Sequence, residues 1–132
     1  MAALTKDRDT PSRGTGIIGY RVAASVRIFA GSLVAIAAGY AQPATATPGL
    51  LVAGRANHHV DNRGGAAGDL VVEVERGMFR FAQDGTITQA DVGSVCYAVD
   101  DQTVADNDAG GTRSAAGVIR GIETAGVWVE IS

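Results

Sequence analysis

Short apolar segments recur along this chain at strand-like intervals, and no stretch sustains a 3.6-residue period. The clearest is DLVVEVE at 69–75, where Leu70, Val72 and Val74 face one way and Val71, Glu73 and Glu75 the other. Residues 78–81 follow after Arg76-Gly77, so 69–82 predicts a tight hairpin. In it Phe79 and Phe81 share one face, and Met78 and Arg80 share the opposite one. Further strands are predicted at 17–22, 25–29, 33–37, 50–55, 94–99, 102–105, 117–122 and 127–131. One helical turn is predicted at 88–91, capped by Thr88 and Asp91 and ended by Gly93. About eight to ten short strands joined by glycine-rich turns define an all-β fold, a small barrel or sandwich.

Residues 27–46, RIFAGSLVAIAAGYAQPATA, complicate that picture, because an arginine, an apolar run and small residues resemble a secretory leader. Yet 26 residues precede them, among them the alternating charges Lys6-Asp7-Arg8-Asp9. The run is also short for a membrane helix, is broken by Gly31, Ser32 and Gly39, and meets Pro43. Its core motif returns: Ala30-Gly31-Ser32-Leu33-Val34 recurs as Ala67-Gly68-Asp69-Leu70-Val71, and more loosely as Val92-Gly93-Ser94-Val95-Cys96. A small residue, a glycine, a short polar residue and then β-formers spell a turn feeding a strand. Residues 27–46 are therefore expected to be turn and strand of a soluble domain.

Residues 1–16, MAALTKDRDTPSRGTG, have neither periodicity, and Thr10-Pro11 disfavours helix on both sides of the bond. They form an N-terminal arm, frayed or ordered on a partner, with a span of about 50 Å when extended. Residues 17–132 form the β-rich body. Lys6, Arg8, Arg13 and Arg21 against Asp7 and Asp9 give residues 1–21 a charge of +2, while seven arginines against twelve acids give the rest −5. An acidic body argues against nucleic acid as a direct partner, since phosphate binding needs a concentrated basic face. A single cysteine, Cys96, excludes an intramolecular disulfide and is expected to be a buried small hydrophobe.

Candidate chemistry fails on inspection. His58-His59-x-Asp61 places adjacent side chains on opposite faces and lacks the four ligands of a structural zinc site. Asp106-Asn107-Asp108 begins like a calcium loop, but the twelfth position is Gly117 rather than a glutamate. Gly14-x-Gly16-x-x-Gly19 matches a dinucleotide fingerprint in letters without its strand and helix. No catalytic, cofactor or metal site is expected, and the chain is not expected to be an enzyme.

Taken in order, AGSLVAIAAGYAQPA, GLLVAGRA, VDNRGGAAGDLVVEVERGMFRFAQ, ITQADVGSVCYAVDDQTVA and GTRSAAGVIRGIETAGVWVEI resemble the capsid decoration (cement) proteins of tailed bacteriophages. More narrowly, they are similar to the small head proteins encoded beside the major capsid protein in Mu-like phages. The likeness covers residues 20–132. It implies a β-rich virion protein on the capsid exterior, made in the host cytoplasm, that crosses capsomer boundaries of an HK97-type shell. The implied partners are the major capsid protein and further copies of itself, a trimer in preference to a dimer, with no membrane involved. The family has no fixed contact motif. Contacts are expected from this sequence at Arg8 and Arg13 in the arm, Tyr20 and Arg21 at its root, and Arg76, Met78 and Arg80 in the 69–82 segment. The rival is a phage-associated β-barrel binding module, a tail or baseplate accessory or a carbohydrate-recognition domain. That role needs exposed aromatics over a groove, whereas Trp128, the only tryptophan, sits in an alternating strand and is expected to pack in the core or a subunit interface.

Overall fold

The computed structural model describes residues 2–132. Residues 2–16 contain no helix or strand and are exposed throughout. The first strand, β1 (Ile17–Arg21), is followed by β2 (Arg27–Ile28), β3 (Leu33–Ala37), β4 (Tyr40–Pro43), β5 (Leu51–Ala56), β6 (Val60–Asp61) and β7 (Val71–Glu75). Then come β8 (Gly77–Gln83), a 3-10 turn (Gln89–Asp91), β9 (Val95–Ala98), β10 (Thr103–Ala105), β11 (Ala115–Glu123) and β12 (Gly126–Ile131). The fold is all-β. The short β4 and β6 carry too few alternating residues to stand out in the sequence.

The strands divide into two main bodies. β1, β7, β5, β3 and β4 form a five-stranded antiparallel sheet in that order. Its edges curl together, because Val22 just past β1 meets Ala41 of β4 in a parallel bridge. β10, β8, β12, β11 and β9 form a closed barrel, and β2 pairs with β6 separately.

The hairpin predicted over 69–82 does not exist. β7 pairs with β1 and β5, while β8 pairs with β12 and β10, so Arg76-Gly77 is a crossing from sheet to barrel. Alternation reports which face a strand buries and is silent about its neighbour. The faces themselves hold: Val72, Val74 and Phe81 are buried, and Met78 and Arg80 point outward. Leu70 departs from its predicted face, being 39% exposed where the chain enters β7.

The repeated glycine motif is the device that starts strands. Gly31, Gly68 and Gly93 all have left-handed φ, at 85°, 87° and 93°. In each copy the following residue donates its N–H three residues back: Ser32 to Phe29, Asp69 to Ala66 and Ser94 to Asp91. Val92, at φ −61° and ψ 126°, completes a type II turn in the third copy. Each glycine N–H then donates to a carbonyl of a buried neighbour, Ala56, Val22 or Ile119 respectively. One local solution thus begins β3, β7 and β9.

β3 explains why residues 27–46 look like a membrane segment. Leu33, Val34 and Ala35 are fully buried in succession because the strand is a wall between two cores. Leu33 and Ala35 pack with the barrel interior (Val104, Ile119, Val127, Val129), and Val34 packs with Val22, Ile28, Val72 and Val74. A strand buried on both faces loses its polar alternation.

Buried polar groups join the pieces. Ser114 donates its hydroxyl to Thr47 O (2.6 Å) and accepts the Leu50 N–H (2.9 Å), fastening barrel to sheet. Asn62 donates its side-chain amide to the carbonyls of Ala23 (2.9 Å) and Ala66 (3.1 Å). A Cβ at Gly65 would lie 2.1 Å from the Asn62 side-chain oxygen, so that approach requires glycine.

Candidate functional site

The arm leaves the body beside the sheet-to-barrel crossing. Arg76 donates its N–H to Gly16 O (2.9 Å), and Ile17 stands opposite Glu75. Beneath the crossing, Arg55 donates to the Glu75 carboxylate (2.8 Å) with its guanidinium 4.4 Å from the centre of the Phe79 ring. Of the contact residues chosen from sequence, Arg76 therefore lies where the arm leaves the body. Arg8 and Arg13 lie in the exposed arm, and neither takes part in an ion pair of the described residues.

Tyr20 and Arg21 are at the opposite end of β1. The Tyr20 side chain packs against the sheet's core, while Arg21 is exposed and runs past Gly68 and Tyr40. Met78 and Arg80 belong to an outward ladder on the barrel, opposite Glu130 and Trp128 of β12. Trp128 is outside the barrel core, a correction to core packing: Val127, Val129 and Ile131 take the inward positions of that strand. Its indole N–H donates to Glu123, the Arg80 guanidinium is 5.9 Å from its ring, and Arg80 pairs with Glu123 at 3.6 Å. Arg120 and Glu130 extend the ladder at 2.8 Å. Sequence reasoning missed Arg120, Glu123 and Glu130, because their meeting depends on the β11–β12 register.

A second feature lies at the seam between the bodies. The turn before β3 and the turn between β9 and β10 enclose a cleft of about 380 Å³ lined by Phe29, Ala30, Gly31, Ser32, Asp101 and Gln102. Their backbones are tied by the Leu33 N–H donating to Asp101 O at 2.8 Å. Phe29 is 51% exposed, and two side chains pack with its ring. The Arg27 guanidinium lies 4.5 Å from its centre, and the His59 ring is tilted against it with centroids 5.6 Å apart. Arg27 also donates from Nε to His59 Nε2 at 2.9 Å. Burial, and next the neighbouring Asp100, push the Asp101 carboxyl above its ordinary value. The buried Ser32 hydroxyl has no partner.

The remaining candidates for chemistry have other work. His58 accepts the Glu73 N–H at 3.1 Å, and Asp61 pairs with Arg63 at 2.8 Å. That arginine's hydrogen bonds hold the Asp61 carboxyl far below the usual range. No group of three or more potential metal ligands occurs among the described residues. Residues 106–113 form a loop in which Asn107 accepts the Ala109 N–H and Arg113 reaches Asp84 at 3.9 Å. Cys96 is fully buried, and desolvation raises its thiol to about 11. Among the described residues, no helix is long and apolar enough to cross a membrane. No family profile matches the chain, and neither a curated protein nor a solved structure is significantly similar to it.

Proposed function

We propose that this chain is a structural virion protein of the tailed-phage decoration type. It binds the exterior of an expanded HK97-type capsid and cements neighbouring capsomers against internal DNA pressure. The observation that carries the reading is the arm: residues 2–16 are exposed along their whole length and leave a small β body beside Arg76. Such an arm supplies interface without enlarging the folded body, at the entropic cost of ordering it. Arg8 and Arg13 offer charge-assisted, bidentate contacts to an acidic neighbour, and Arg76, Met78 and Arg80 provide a second patch near the arm's exit.

A protein that binds only the assembled shell stabilises it by mass action. Several modest contacts per closed homo-oligomer, a trimer at local threefold positions, multiply into firm attachment through effective concentration. The test is decoration of emptied, expanded heads by the full chain and by a variant lacking residues 2–16. The full chain raises the heads' disruption temperature, and the truncated chain, still folded, occupies them at least about tenfold less well. Equal decoration by the two proteins overturns the role of the arm, and failure of the full chain to bind heads overturns the reading itself.

A further inference from the structure

We propose that the seam cleft is a carbohydrate-binding site that takes one neutral pyranose ring, a capacity independent of capsid attachment. Sugar recognition needs an apolar platform for the C–H face of the ring and closely placed donors and acceptors for its hydroxyl edge. Phe29 supplies the platform, half exposed at the cleft and packed with Arg27 and His59, which restrict its motion. A ring fixed before the ligand arrives loses little further freedom on binding. Asp101 supplies the acceptors, since no ion pair of the described residues engages its carboxylate and its own backbone N–H is the one hydrogen-bond donor it meets there. Gln102 adds an amide carrying both donors and an acceptor, and Ser32, also in the lining, has a buried hydroxyl with no partner among the described residues.

Charge narrows the ligand class. Asp101 in the lining, with Asp100 beside it in the chain, repels an anion. A cation stacking on Phe29 meets the Arg27 guanidinium already lying 4.5 Å from that ring. A neutral polyhydroxyl ligand suffers neither penalty. The cleft's volume of about 380 Å³ falls within the range of small-molecule sites. Its position between two packed bodies is also where such sites concentrate.

The experiment uses the full-length, ¹⁵N-labelled protein titrated with the methyl glycosides of glucose, galactose, mannose and N-acetylglucosamine. At least one shifts the amide signals of Ala30, Gly31, Ser32 and Gln102 with a dissociation constant of about 1–10 mM, the weak affinity expected of a single sugar ring. Phe29→Ala and Asp101→Asn each weaken that binding about tenfold or more while the remaining signals keep their positions. Asp101→Asn conserves shape, so it carries the test even where Phe29→Ala perturbs folding. Absence of shifts at these residues for all four sugars up to about 200 mM overturns the proposal. So does binding that maps elsewhere, or that Asp101→Asn leaves unchanged.

Discussion

Asp101 is a residue held at a cost to the fold. Its carboxyl is partly desolvated beside Asp100, and its folded pKa is raised above the ordinary 3.8. A carboxyl with a raised folded pKa binds its proton more tightly in the native state, so its contribution to stability falls as pH rises past the unfolded value. Asp101→Asn is therefore expected to melt at a higher temperature than the parent at neutral pH. The two melting curves converge as pH falls below 3.8, which thermal denaturation across an acid series checks. Cys96 is the opposite case: packed and desolvated, it is a small apolar side chain whose chemistry is suppressed by burial.

At the scale of elements, one turn design and one two-sided strand organise the chain. The left-handed φ of Gly31, Gly68 and Gly93 excludes most side chains, so Gly93→Ala is expected to lose about 1–2 kcal/mol in urea denaturation. Gly14→Ala, in the exposed arm with nothing within 4 Å of the added methyl, leaves stability unchanged. β3 bears on both cores at once, which makes truncation there more damaging than its length suggests. Leu33→Ala is expected to cost about 2–5 kcal/mol, the range for an unrelaxed core cavity. Leu51→Ala, at a side chain 70% exposed on β5, stays within about 0.5 kcal/mol of the parent. A Leu33→Ala protein as stable as Leu51→Ala contradicts a shared core wall.

At the scale of the whole molecule, charge and shape separate the arm from the body. Residues 1–16 carry +1 and residues 17–132 carry −4. An exposed basic arm exerts its attraction through solvent, where about 0.15 M salt already limits the range to some 8 Å. Occupancy of capsids by the full chain is thus expected to fall as salt rises, and the truncated chain's residual occupancy to depend on salt less. The same head-binding measurement, repeated across ionic strengths, decides this. The seam cleft lies on the body and does not draw on the arm, so the two proposed activities are separable by substitution.

Some of this was legible in the linear chain because its physics is local. A type II turn is written within four residues, and the two A-G-[SD]-L-V copies and the looser V-G-S-V-C carry the same signal wherever they occur. Inward and outward faces of β7 and β8 follow from alternation, and the absence of α-helix follows from the missing 3.6-residue period. Partners are another matter. The alternation of 69–82 suits a hairpin as well as two strands in separate bodies, and only the competing pairings of β1 and β12 decide between them. The unbroken apolar letters of 33–37 suit a leader, a membrane segment or a central strand, until two cores are seen to claim opposite faces. Phe29 and Asp101 have no sequence relation at all. Their meeting across the seam exists only because sheet and barrel pack in one particular way, and the outward place of Trp128 beside Arg80 only because β8 and β12 pair in one register.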